Sequence, residues 1–302
     1  MNINLTQKYI KHTHWIFSPV FILIYVIFSC AQALPFYQLT KDNQTLYLVG
    51  TMHLGKANDQ LSEKLQEAIR HSDEIILELD SQQAQKTAAL IETLRCNTPC
   101  LQQDLKESLI HELSKLSGID ISKMSAPLAY ITLTIDSFTR LGFEPRFGTE
   151  TLIMQYADLH KIPVSGLETA EEQVKLIKET PLKLIIADLK LLVTEPDFIQ
   201  AEINTFYNTW KEGDVESLYE VTHDEEVLKK RYHGYDDNVI TVYQNYIQAI
   251  LPKRNHRFID RLLPKITAQS TKMIAVGALH LGGEEGLIRL FKNEGYTIKS
   301  LE

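Results

Sequence analysis

The chain has 302 residues, 44% hydrophobic and 23% charged, with a formal net charge of −8. That balance belongs to a folded protein with a core of normal size and excludes a disordered chain. An acidic chain without a basic stripe excludes nucleic acid as a partner and offers anionic lipid no electrostatic hold. At the N-terminus, residues 1–14 carry Lys8 and Lys11 and no acid, Trp15–Cys30 is almost wholly apolar, and Ala31-Gln32-Ala33 forms an A-x-A pattern before Leu34-Pro35. Positive, apolar and small-residue regions in that order predict a secretory signal peptide over 1–33 and an exported protein, periplasmic or secreted. The apolar run is short of the ~20 residues of a spanning helix. An uncleaved N-terminal anchor and lipidation at Cys30 are the competing readings, and either would tie the chain to a membrane. Cleavage would take 31 basic residues against 39 acidic ones to 29 against 39, a net −10.

Phe36–Thr40 and Thr45–Val49 read as strands around the turn residues Asp42-Asn43. Tyr47-Leu48-Val49 ends at Gly50 as a short apolar run, the pattern of a strand buried on both faces. Leu61, Leu65, Ala68 and Ile69 follow helical spacing, and Glu74–Leu79 reads as the next strand. Strand, helix and strand in succession favour a parallel sheet with a right-handed crossover. From Ser81 to about Gly142 the pattern is helical, with breaks at Asn97–Pro99 and near Gly118 and Pro127. Export makes Cys96 and Cys100 readable: so close a pair in an oxidising compartment points to a small disulfide loop, with a metal pair as the weaker alternative.

Thr151–His160 reads as a helix and Ile162–Gly166 as a short third strand that ends in Leu167-Glu168. Helical pattern resumes at Ala170 and runs, with breaks, to about Ala268, where Trp210 with Phe206 and Tyr207 looks like an aromatic core anchor. Lys272–Val276 is an apolar strand, Glu284–Asn293 a helix and Tyr296–Leu301 a closing strand. Strands cluster at both ends and helices fill the middle. The expected fold is therefore a mixed α/β domain over 34–302. Its central sheet is assembled from N- and C-terminal strands and covered by a helical middle region at about 81–160 and 169–268.

One internal echo stands out: Val49-Gly-Thr-Met-His-Leu-Gly55 resembles Val276-Gly-Ala-Leu-His-Leu-Gly282. Both segments leave a buried-type strand and precede a helix, so His53 and His280 are delivered to the same kind of place. Gly50 and Gly277 let the backbone turn or approach another chain closely there. Ligand sites in open α/β sheets form beyond the carboxyl ends of the strands, and Glu78 and Glu168 fall at such ends too. Two imidazoles and one or two carboxylates match the ligand set of a divalent transition metal, which would activate water and polarise a carbonyl. The same residues without a metal could form a His–Glu pair that activates water by general-base catalysis. The remaining histidines, such as His71, His111 and His160, sit in helical or polar contexts and read as solvated.

GTMHLG at 50–55, ILELD at 76–80, PVSGLETAEEQ at 163–173 and VGALHLGGEEGLIRLFKNEGYTI at 276–298 together resemble the TraB/GumN family. This family includes the animal Tiki metalloproteases and the pheromone-shutdown proteins of bacterial plasmids. Trp210-Lys-Glu-Gly-Asp214 and the Arg254-Asn255 pair are further matches. The resemblance covers about residues 36–302. It implies an erythromycin-esterase-like fold and a metal-dependent, peptidase-like activity that uses the two G-x-x-H histidines and the strand-end glutamates. By position these are His53, His280, Glu78 and Glu168, as metal ligands and catalytic groups, with Glu168 as ligand or general base. The family's Gly-x-Asp reads here as Gly148-Thr149-Glu150, so Glu150 stands in that place with a longer arm. Glu150 and Arg254 are the candidate substrate contacts, Arg254 because a guanidinium can hold a carboxylate bidentately. Arg140 and Arg146 read instead as salt-bridge residues.

The expected function is therefore an exported hydrolase acting on a peptide or small amide or ester, with Mn²⁺, Co²⁺ or Zn²⁺ as cofactor. A protein that sequesters a peptide without cutting it, and a metal-independent esterase, are the alternatives.

Overall fold

A computed structural model of the chain describes residues 34–236 and 238–302. The signal peptide, anchor and lipidation expected at 1–33 lie outside the described residues. In chain order the elements begin with β1 (Phe36–Lys41), β2 (Gln44–Thr51), β3 (Gly55–Lys56), α1 (Glu63–Arg70), β4 (Glu74–Leu77) and α2 (Ser81–Glu92). Then come α3 (Glu107–Ser117), α4 (Ala126–Arg140), β5 (Phe143–Glu144), α5 (Thr149–His160), β6 (Val164–Gly166) and α6 (Ala170–Lys178). Five helices follow: α7 (Leu182–Thr194), α8 (Pro196–Lys211), α9 (Val215–His223), α10 (Glu225–Arg231) and α11 (Asn238–Leu262). The chain closes with β7 (Lys272–Gly277), α12 (Leu287–Asn293) and β8 (Thr297–Ser300).

The main sheet has the order β6-β4-β7-β2-β1-β8. Strands β6, β4, β7 and β2 run parallel, and β1 is antiparallel to both β2 and β8. The N- and C-terminal strands thus share one sheet, as the sequence predicts. The sequence pattern does not reveal that β7 lies between β2 and β4, so the first strand–helix–strand unit leaves a gap that the chain fills more than 190 residues later. That central place explains the apolar run of β7, whose first five residues are buried.

Alternation along the strands feeds two cores. Val49, Ile75, Leu77, Met273 and Ala275 face one layer with Leu65 and Ile69 of α1, Ile153 and Ala157 of α5, and Tyr207 and Trp210 of α8. Leu48, Ile76, Ile274 and Val276 face the other, against Phe258 and Leu262 of α11 and Leu287 and Phe291 of α12. The aromatic anchor predicted around Trp210 is therefore core. Part of the helical middle has its own core, where Leu113 of α3, Leu133 of α4 and Leu189 of α7 pack together. Cys96 and Cys100 are disulfide-bonded beside it, and their N–H groups donate to the carbonyls of Lys123 and Ser122.

Two boundaries near the site differ from expectation, and one small ribbon was not expected. Strand β4 stops at Leu77, so Glu78 and Leu79 leave the ladder, and α12 starts at Leu287 because residues 281–286 turn tightly under α9. The two-residue strands β3 and β5 form a separate ribbon that offers too few residues for a period to register. Among the described residues, no helix is long and apolar enough to cross a membrane.

Candidate active site

Because β2, β4, β6 and β7 are parallel, their carboxyl ends share one edge of the sheet. The chain leaving them carries His53, Glu78, Glu168 and His280. Glu78 and Glu168 meet directly, since the Glu168 N–H donates to the Glu78 carbonyl (2.8 Å). Their carboxylates are buried and share Arg254 of α11. Arg254 Nη2 donates to Glu78 Oε2 (2.6 Å) and Glu168 Oε2 (2.7 Å), and its Nε to Glu168 Oε1 (3.0 Å). Gln173 Nε2 adds bonds to Glu168 Oε2 (2.6 Å) and Glu78 Oε2 (3.3 Å), and Arg257 Nη2 reaches Glu168 Oε1 at 3.4 Å. Both oxygens of Glu168 are thereby taken. Two like charges this deep are tolerable only when paired and hydrogen-bonded, which is what Arg254 provides.

The second oxygen of Glu78 turns toward β7. Glu78 Oε1 accepts the Gly277 N–H at 2.7 Å, and a Cβ on Gly277 would crowd that oxygen at 3.2 Å, so a larger residue would push the carboxylate back by a few tenths of an ångström. Burial alone would raise the Glu78 carboxyl, but His280, Arg254 and His53 together with the Gly277 amide hold it well below the usual carboxylate range.

His280 is 3% exposed, its ring 5.1 Å from that of Phe258. Burial pushes its pKa down to about 4 although Glu78 pulls the other way, so the imidazole is neutral at pH 7. Its Nδ1 meets Asn255 Oδ1 at 2.6 Å, and its Nε2 faces Glu78 Oε1 at 3.8 Å, too far for a hydrogen bond.

His53, by contrast, is open to solvent. Its side chain is 75% exposed, and its Nδ1 meets Glu150 Oε1 at 2.9 Å. Glu150 raises the His53 pKa by charge and by hydrogen bond, a pull that solvent at the open ring screens. Glu150 also accepts the Thr51 hydroxyl, while its Oε2 is buried without a partner. The carboxylate lies in the first turn of α5, where the positive end of the helix dipole favours it. The loop is pinned to this helix, because Thr149 N–H donates to the Met52 carbonyl at 2.9 Å. A Cβ on Gly148 would lie 2.1 Å from the His53 carbonyl oxygen, so no other residue fits there without moving the loop.

The topology thus gathers His280, Glu78, Glu168 and Arg254 into one buried cluster, with His53 and Glu150 paired at its edge. Arg140 and Arg146 lie elsewhere, bridged to Asp136 and Glu144. Sequence reasoning reached Arg254 but not Asn255, Gln173, Arg257 or Thr51. Asn255 and Gln173 do stand inside the matched Arg-Asn and PVSGLETAEEQ segments, which is the signal that could have pointed to them.

Among the described residues, no three His, Cys, Asp or Glu side chains converge closely enough to hold a cation as they stand. The donor chemistry nevertheless suits one. A neutral buried imidazole faces a carboxylate oxygen across a gap without a hydrogen bond, and the buried Glu150 Oε2 beside His53 has no partner.

A family model described as the TraB/PrgY/gumN family matches residues 35–300. Two relatives, each called uncharacterized protein YbaP, come from Escherichia coli (strain K12) and Shigella flexneri. Each is 23% identical over 257 residues, covering 83% of this chain and 89% of its own length. No solved structure matches the chain.

Proposed function

The chain belongs to the TraB/PrgY/gumN family, and from that premise and the geometry of the strand-end cluster we propose that it is an exported, metal-dependent hydrolase acting on a peptide or similar amide. One observation carries the reading: both G-x-x-H histidines hold Nδ1 against a side-chain oxygen, and neither Nε2 makes a hydrogen bond to any described residue. Ligating histidines are commonly held in this way, by one nitrogen, with the other left for the metal.

His53, Glu78 and His280 would hold the cation. A divalent Mn²⁺, Co²⁺ or Zn²⁺ bound there would supply a Lewis acid and lower the pKa of water toward ~7. The protein's own groups set the stage. Arg254 and the Gly277 amide keep Glu78 ionised, and burial keeps His280 neutral. Glu150 orients His53 by holding its Nδ1, which leaves Nε2 for the ion. Glu168, with both oxygens engaged, acts on Arg254 and through it on Glu78, so its part is positioning rather than proton transfer. Arg254 belongs to the same scaffold rather than to the substrate, since its guanidinium is already forked between two carboxylates.

Incubation with a peptide library, followed by mass spectrometry, tests the reading. New fragments that vanish with a chelator and return with Mn²⁺, Co²⁺ or Zn²⁺ are expected. Peptides retained uncut would replace it with sequestration, and chelator-resistant ester hydrolysis lost in Glu78→Gln would replace it with a metal-independent esterase.

A further inference from the structure

Asn255 occupies a position that its neighbours over-determine. It sits in α11 directly after Arg254 and is 3% exposed. Its Nδ2 donates to the Glu285 carbonyl at 2.8 Å, and its Oδ1 lies 2.6 Å from His280 Nδ1. A backbone carbonyl can only accept, so the amide NH₂ must face Glu285 and the amide oxygen must face the imidazole. An amide oxygen can likewise only accept. The imidazole nitrogen opposite it therefore carries the hydrogen.

We infer that Asn255 is a positioning residue that locks His280 in the Nδ1–H tautomer, leaving the Nε2 lone pair directed at Glu78 Oε1. Without this bond a neutral imidazole is free to carry its hydrogen on Nε2 and donate it toward the Glu78 carboxylate, closing the gap that now separates them. With the bond, two acceptors face each other at 3.8 Å inside a buried pocket, an arrangement relieved by a cation or by a proton shared between them. The His53 side differs: there a carboxylate, Glu150, holds the Nδ1. The neutral amide at Asn255 fixes the tautomer while adding no charge to a pocket that already holds Glu78 and Glu168. The consequence for metal binding rests on the hydrolase reading of the site, whereas the tautomer does not.

Nitrogen-15 NMR of the histidine-labelled full chain, stripped of metal by chelator and compared with His280→Gln to assign the ring, reads the tautomer directly. The expected result is a protonated-type Nδ1 and an unprotonated-type Nε2 for His280. In Asn255→Ala the hydrogen moves to Nε2 or exchanges between the nitrogens. In Asn255→Asp, which keeps an acceptor at the imidazole but loses the donor to Glu285, Nδ1 stays protonated. An Nε2–H signal in the unsubstituted chain overturns the inference whether or not the variants fold. So does an Asn255→Ala spectrum that keeps the Nδ1–H form, since Asn255 would then only latch the Glu285 turn. Zinc titration of the same samples should show affinity reduced on the order of 10- to 100-fold in Asn255→Ala. If the unsubstituted chain takes up no zinc while the tautomer is as stated, the metal reading fails and the assignment of Asn255 stands.

Discussion

The two histidines were legible from the sequence because each follows a buried strand in the same G-x-x-H setting, and the parallel ladder carries both to one edge. Glu78 was legible as a strand-end carboxylate, although nothing local told whether it pointed inward. Asn255 and Gln173 were not legible: Asn255 meets His280 25 residues away, and Gln173, besides bonding Glu168 five residues before it, reaches Glu78 95 residues away, and a distant contact leaves no local pattern. The same reason conceals the role of Arg254, whose forked bond spans 86 residues to Glu168 and 176 to Glu78. Its importance can be measured. Arg254→Ala should destabilise the fold by about 3–5 kcal/mol in urea unfolding, because it removes the guanidinium shared by two buried carboxylates and leaves only Arg257, 3.4 Å from Glu168, beside them. Adding Glu168→Gln should recover part of that loss, as residues in one ion-pair network are not additive. Equal and independent costs for the two substitutions would show that the cluster is not coupled.

Helices and strands were mostly legible by period, and their ends were set by chemistry that can be tested. Helix α6 starts at a capping box in which the Thr169 hydroxyl accepts from the Glu172 N–H and Glu172 accepts from the Thr169 N–H. Arg261 of α11 then forks onto both oxygens of Glu172 at 2.9 and 2.7 Å, so one carboxylate joins a helix start to the helix that carries Arg254. These bonds hold the Glu172 carboxyl at about 2, below its ordinary 4.5. The folded state therefore binds fewer protons than the unfolded one between these values. Its contribution is complete above pH 4.5 and is lost as pH falls toward 2, with a size of about 1 kcal/mol once solvent screening is allowed for. The gap in urea midpoint between the protein and Glu172→Gln should accordingly shrink on acidification through this window, and a constant gap would contradict it. At the start of α5, Gly148→Ala should cost about 1–3 kcal/mol in thermal or urea unfolding, because the new Cβ meets the His53 carbonyl. An unchanged midpoint would mean that the loop yields freely.

At the scale of the molecule, the sequence disclosed the sheet's composition but not its order. A short apolar run such as Met273–Val276 reads alike at the centre of a sheet or near its edge, so nothing in Lys272–Gly277 announces that it separates β2 from β4. That placement has a consequence: the site is incomplete until the last 31 residues join, because β7 brings Gly277 against Glu78 and then delivers His280. A chain ended at Thr271 should therefore fail to give a cooperative unfolding transition by circular dichroism. A folded truncation would show that the sheet closes without its central strand. The account as a whole turns on whether His53, Glu78 and His280 hold a divalent ion. Elemental analysis of the purified protein after loading with Mn²⁺, Co²⁺ or Zn²⁺ and removal of excess, beside His53→Ala and His280→Ala, decides it most directly. The account predicts a stoichiometric ion in the unsubstituted protein and its loss in both variants, and equal metal content in all three, or none in any, would contradict it.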